Sequence, residues 1–129
     1  MNRKNLVDEF INRFPEYKAQ ADEELADWTD EPVPPHWFFA VVVDPALVEE
    51  LTRENNPELL KRFFEFFEEM ANSKDEEVVD ALGTMTLERI CDDELTEKAL
   101  KYMGLKTKKA FDIVYRQEIG ELSLIDMLQ

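Results

Sequence analysis

Apolar residues return every three or four positions along most of this chain, the spacing of helices with one buried face. The strongest stripe follows Asn56-Pro57-Glu58 and comprises Leu59, Leu60, Phe63, Phe64, Phe66, Phe67 and Met70. Asn is a good side-chain cap and Pro suits the first helical position, so a helix starts here. Four phenylalanines within five positions widen its apolar face and predict packing on more than one neighbour. Ser73-Lys74-Asp75-Glu76 then reads as a capping box, with Ser73 accepting from the amide three residues on and Glu76 reaching back. The next helix carries Val78, Val79, Leu82, Met85, Leu87, Ile90 and Cys91. The two stripes predict a helical hairpin at the centre of a helical core.

The flanking segments follow the same rule. Asn5 precedes Leu6, Val7, Phe10, Ile11 and Phe14, and Pro15 ends that helix and starts another. Tyr17, Ala21, Leu25 and Trp28 form a narrow stripe whose opposite side is almost all acid, which predicts an outer helix. Residues 29–36 contain three prolines and read as a linker. Residues 37–43 are ambiguous. Their β-branched and aromatic content suits a strand, but no second strand candidate exists to pair with it, so a short buried helix is favoured. Asp44-Pro45 reads as a new cap-plus-proline start before Leu47, Val48 and Leu51. Asp92 or Asp93 caps a helix holding Leu95, Ala99, Leu100, Tyr102 and Met103, which Gly104 stops. A last long helix covers residues 107–119 with Phe111, Val114, Tyr115 and Glu118 in line; Gly120 breaks it, and Leu122, Leu124, Ile125, Met127 and Leu128 dock as a short helix. The expectation is one all-α domain over residues 1–129, of seven or eight short helices. Short loops make them stacked antiparallel hairpins in an irregular armadillo- or HEAT-like array.

Charge changes the functional picture. The chain has 30 acidic and 15 basic residues and a formal charge of −15. A field of this sign disfavours nucleic acid and anionic membranes and favours a basic partner. No apolar run approaches the roughly 18–20 residues that span a bilayer, and the N-terminus lacks an apolar signal core. A soluble cytoplasmic protein is expected. The single cysteine, Cys91, lies in an apolar stripe and reads as an inert buried thiol.

Three patterns compete for chemistry. Glu65 with Glu68, and Glu77 with Asp80, are carboxylate pairs three residues apart on the two central helices. Facing pairs of this kind hold magnesium in all-α nucleotide pyrophosphohydrolases, although the gap between the pairs is shorter than that pattern allows. His36 is the only histidine, with no serine, cysteine or multi-ligand spacing to make it a nucleophile's base or a zinc ligand. Around it, both tryptophans, Trp28 and Trp37, fall beside Asp22, Glu23, Glu24, Asp27, Asp30 and Glu31. Aromatic anchors in a charged rim suit a protein-binding surface; the plainer alternative is a core tryptophan beside a solvated face.

Several phrases are also familiar together: Phe10-Ile11-x-Arg13-Phe14-Pro15-Glu16, Pro35-His36-x-Phe38-Phe39, Asp44-Pro45, Phe67-Glu68-Glu69-Met70-Ala71-x-Ser73-x-Asp75-Glu76, Leu87-Glu88-Arg89-Ile90 and Tyr102-Met103-Gly104. Over residues 6–110 the chain resembles a family of small, acidic, all-helical bacterial proteins of unknown function. Some members of that family are similar to immunity proteins encoded beside polymorphic toxins. The resemblance brings no catalytic residue and no cofactor. It implies a non-enzymatic module that binds a basic protein, such as a toxin domain. A metal-dependent pyrophosphohydrolase and a helical adaptor without a toxin link are the alternatives.

Overall fold

The structure is a computed structural model that describes residues 1–28 and 31–128; the side chains of Asp93 and of residues 118–128 lie outside that description. Helix accounts for 76% of the chain, and no strand occurs among the described residues. Among the described residues seven helices follow one another. They are α1 (Leu6–Arg13), α2 (Lys18–Leu25, entered through a 3-10 turn at Pro15–Tyr17), α3 (35–53), α4 (Pro57–Ala71), α5 (76–89), α6 (Asp93–Leu100) and α7 (Leu105–Leu128). The all-α expectation stands, and residues 37–43 are helical.

Helix α4 sits at the centre because its stripe is buried on nearly all sides. Leu59, Leu60, Phe63, Phe64, Phe66, Phe67 and Met70 are all buried. As expected, Asn56 caps it, its side chain accepting from the Leu59 amide. Successive helices pair as hairpins, α3 with α4 and α4 with α5, and the pairing closes on itself. Helix α7 packs back on α4 and on α5, α6 packs on α3, and α3 meets α5. Phe10 of α1 and Phe14, the residue just after it, enter the aromatic surface of α4. Phe14 stacks on Phe63 at 4.8 Å between ring centroids, and Phe10 meets Phe66 edge-on at 5.7 Å. Two arginines close this cluster from outside. Arg13 lies over Phe66 and pairs with Glu9 and Glu69; Arg62 lies over Phe14 and pairs with Glu16.

Helices α3 and α5 each contain a widened, π-helical stretch, at Phe39–Val43 and Leu82–Leu87. The first has a covalent reason. Pro45 stands inside α3, where it has no amide to donate and its ring crowds the carbonyl four residues back. A π turn ahead of the proline widens the spacing and lets the helix continue. Asp44-Pro45 is therefore not a helix start, and Asp44 caps nothing. Its side chain turns inward and accepts from the Thr86 hydroxyl at 2.7 Å, joining α3 to the π stretch of α5. Other local readings also change. Asp75, not Ser73, caps α5 by accepting from the Glu77 amide, while the Ser73 hydroxyl donates to the Met1 carbonyl. Asp92 caps α6 through the amides of Glu94 and Leu95. Gly120 does not interrupt α7, which runs through it.

The Asp44 carboxyl is only 4% exposed. Burial raises it from the ordinary 3.8 to about 6, against the opposing pull of the Thr86 hydrogen bond and the Arg89 charge. Between pH 3.8 and about 6 the folded protein therefore holds a proton that the unfolded chain has released. Stability falls as pH rises through this window, by up to about 3 kcal/mol. Asp44→Asn keeps an acceptor for Thr86 and removes the charge. We expect it to melt higher than the wild type at pH 7.5, with the difference shrinking as pH falls from about 6 to 3.8. Thermal denaturation across this pH range checks both points.

Candidate functional site

Helix α2 is held to the core by one narrow line of residues. Ala21 is fully buried, and Tyr17 and Leu25 are half-buried beside it. The Tyr17 hydroxyl is pushed up to about 12 by burial and by the negative charges of Glu50, Glu16 and Glu49. The other side of α2 is left to solvent. Asp22, Glu23 and Asp27 are exposed and Glu24 is half-buried. Asp22 pairs with Lys18 one turn back at 2.8 Å. No ion pair engages Glu23, Glu24 or Asp27 among the described residues.

The chain leaves α2 with the Trp28 amide donating to the Leu25 carbonyl. This turn places Trp28 against Trp37, at the start of α3, with ring centroids 5.2 Å apart and planes tilted by 54°. Both rings are half-buried. The two tryptophans that the sequence set near each other thus form one aromatic pair beside the acidic face. Trp37 also packs on the core, so it serves both structure and surface.

Glu31 is exposed at the rim of a cleft of about 450 Å³ between the proline segment and the start of α1. Val7, Leu25 and Val33 form its apolar walls, and Arg3, Lys4 and Asp8 add charge. Arg3 is already held by Glu77 at 2.9 Å. His36 belongs to the first turn of α3 rather than to the linker, since Pro35 opens that helix. Its Nε2 lies 3.1 Å from Asp80 Oδ2, a link from α3 to α5. Asp30 lies outside the described residues.

The four carboxylates of the candidate magnesium site turn to four different partners. Glu65 lies 4.0 Å from Lys61, Glu77 pairs with Arg3, and Asp80 meets His36. Glu68 reaches the N-terminus of α7, accepting from the Lys106 and Thr107 amides at 3.0 and 2.8 Å and from the Thr107 hydroxyl at 2.8 Å. Partial burial works to raise its pKa, but these three hydrogen bonds and the nearby Lys106 charge outweigh it and hold the carboxyl below its ordinary value. No three His, Cys, Asp or Glu residues are grouped to hold a metal ion among the described residues. The Cys91 thiol donates to the Leu87 carbonyl at 3.3 Å.

Sequence reasoning missed the role of Glu68, because no local spacing joins it to residues 106 and 107. The one available signal was Gly104, read as a helix stop. A Cβ there would lie 2.5 Å from the Glu68 carboxyl carbon, so the glycine makes room for the cap.

An all-helical domain with an acidic face beside an aromatic pair is the class that this geometry defines. The chain belongs to the family described as a domain of unknown function (DUF7674), whose family model matches residues 7–120. No curated protein and no solved structure matches it. No helix among the described residues is long and apolar enough to cross a membrane.

Two substitutions test the Glu68 cap. Glu68→Gln should lower stability at pH 7 by about 1 kcal/mol, the usual worth of a lost N-terminal cap. A carboxylate held below its ordinary value contributes above the unfolded pKa and is lost as pH falls through the folded one. The gap between variant and wild type should therefore close in acid. Gly104→Ala should displace the Glu68 side chain and cost a similar amount. In the double variant the two effects should be less than additive, since they act on one contact. Chemical denaturation of the four proteins measures the coupling.

Proposed function

We propose that this protein is a non-enzymatic binding module that takes a basic protein partner on α2 and the Trp28–Trp37 pair. In its most concrete form it is a cytoplasmic immunity-type protein that neutralises a toxin. The observation that carries the reading is the aromatic pair at the end of an acidic helix whose outward charges the fold hardly uses. The family resemblance supports the toxin link. The separate commitments of Glu65, Glu68, Glu77 and Asp80 favour binding over metal-assisted hydrolysis.

The physics assigns the two parts different work. Exposed charge steers encounter and weakens with salt, whose screening length is about 8 Å at physiological strength. Residence depends on desolvated anchors, for which tryptophan is the favoured side chain. A toxin that acts on nucleic acid carries cationic groups at its site, and an acidic helix can occupy them.

The test looks for a toxin domain encoded by the neighbouring gene and takes it, produced as an inactive variant, as the ligand. Replacing Asp22, Glu23, Glu24 and Asp27 with lysine should slow association and flatten its salt dependence. Trp28→Ala should mainly speed dissociation, at a cost of about 2 kcal/mol. An association rate and salt slope unchanged by the charge reversal would show that α2 is solvated surface only.

A further inference from the structure

Apart from α2, one other face of the molecule stands out by its chemistry. Three large apolar residues are exposed among the described ones: Leu100 at 41%, Leu105 at 66% and Ile113 at 60%. All three lie at the corner where α6 gives way to α7 or on α7 itself. Leu105, Lys109 and Ile113 are four residues apart, so they share one face of α7. The opposite face is spent on the core, with Thr107 and Phe111 buried and Val114 and Tyr115 half-buried. The outward stripe therefore has no structural duty in the single chain.

Its charge is opposite to that of the molecule. Lys106, Lys108 and Lys109 are exposed, and none forms an ion pair among the described residues. Most other basic side chains do, including Arg3, Arg13, Lys18, Arg53, Arg62, Lys98 and Arg116. Two of the three lysines stand in the first turn of α7, the end at which the helix dipole disfavours cations. The Glu68 carboxylate that caps this turn offsets part of that cost and fixes the helix start. Lysines without ion pairs, two of them at a disfavoured position, around exposed leucine and isoleucine, form a surface matched to anionic groups that carry an apolar anchor.

We propose that the outward face of α7, with Leu105, Lys106, Lys108, Lys109 and Ile113, is a second docking surface whose partner is an acidic amphipathic peptide helix. The apolar side chains two turns apart, about 12 Å along the axis, match the repeat of a second helix laid against α7. Lys106 and Lys108 flank that seam and Lys109 lies within it, where the acids of the partner meet them. A nucleic acid or an anionic bilayer fits less well. Both are extended polyanions and meet the field of a molecule with formal charge −15, whereas a short peptide stays within the local cationic patch. This surface is independent of α2 and does not rest on the toxin reading.

The test titrates the full chain with a synthetic amphipathic peptide bearing leucines on one face and glutamates on its flanks. The control is the same peptide with lysine flanks. The acidic peptide should bind and the lysine peptide should not, with amide chemical shifts changing along residues 105–113. Leu105→Ser with Ile113→Ser should abolish binding without changing the melting temperature, because both side chains are exposed. Lys108→Glu with Lys109→Glu should weaken it about tenfold or more and reduce its salt dependence. Asp22→Lys with Glu23→Lys should leave it intact. The proposal is overturned if neither peptide binds, if both bind alike, or if the serine variant still binds. It is also overturned by stronger binding to phosphatidylglycerol vesicles, or by self-association that the same substitutions abolish.

Discussion

The fold depends on the burial of the α4 phenylalanines against α1. Phe63 and Phe66 meet Phe10 and Phe14 at ring distances from 4.8 to 6.2 Å, in stacked, tilted and edge-on pairs. Aromatic side chains bury more area than any others, and such pairs add about 0.5–1.5 kcal/mol beyond it. The first helix would otherwise be too short to stand alone, since isolated helices of this length are marginal in water. Arg13 and Arg62 then roof the cluster and bind α1 and the following turn to α4 through Glu69 and Glu16. With α1 fixed, the chain runs outward through α2 and returns at α3, which brings Trp28 to Trp37.

A second constraint is the scarcity of base. The fifteen basic residues cannot pair with thirty acids, and where they do pair sorts the surface. Most ion pairs lie within single helices or tie one segment of the chain to another: Arg3 to Glu77, Arg13 to Glu69, Arg62 to Glu16, and Lys98 and Lys101 to Glu54. What is left over is uneven. Glu23, Glu24 and Asp27, on and just after α2, are among the acids without ion pairs, and Lys106, Lys108 and Lys109 at the start of α7 are among the lysines without them. Isolated exposed pairs contribute little to stability, so leaving these groups single costs the fold little and leaves them available to partners.

Much of the fold was legible because it rests on local signals. The α4 stripe and its Asn56 cap, the Asp92 cap and the narrow buried line of α2 all follow from spacing and side-chain chemistry. The misreadings share a cause: a local signal outvoted by a contact distant in sequence. Asp44-Pro45 has the form of a helix start, but a π turn absorbs the proline and Thr86 takes the carboxylate. Ser73 has the form of a cap, yet its hydroxyl serves the Met1 carbonyl. Gly104 has the form of a stop, yet it clears space for Glu68. At the candidate site the sequence placed the two tryptophans and the acids of α2 on one segment. It did not foresee that His36 would turn to Asp80, or that the proline segment would wall a cleft against α1.

The central claim is a division of labour, with stability concentrated on α4 and its aromatic partners and recognition left to an outer helix that the core barely holds. Ligand-binding elements are commonly drawn from the least stable parts of a structure. Native-state hydrogen exchange on the free protein measures this directly. The account predicts that the amides of α4 exchange only through global unfolding, while those of α2 exchange through a local opening of clearly lower free energy. If α2 exchanged with the same free energy as α4, the outer helix would be an integral part of the core and the division would be wrong.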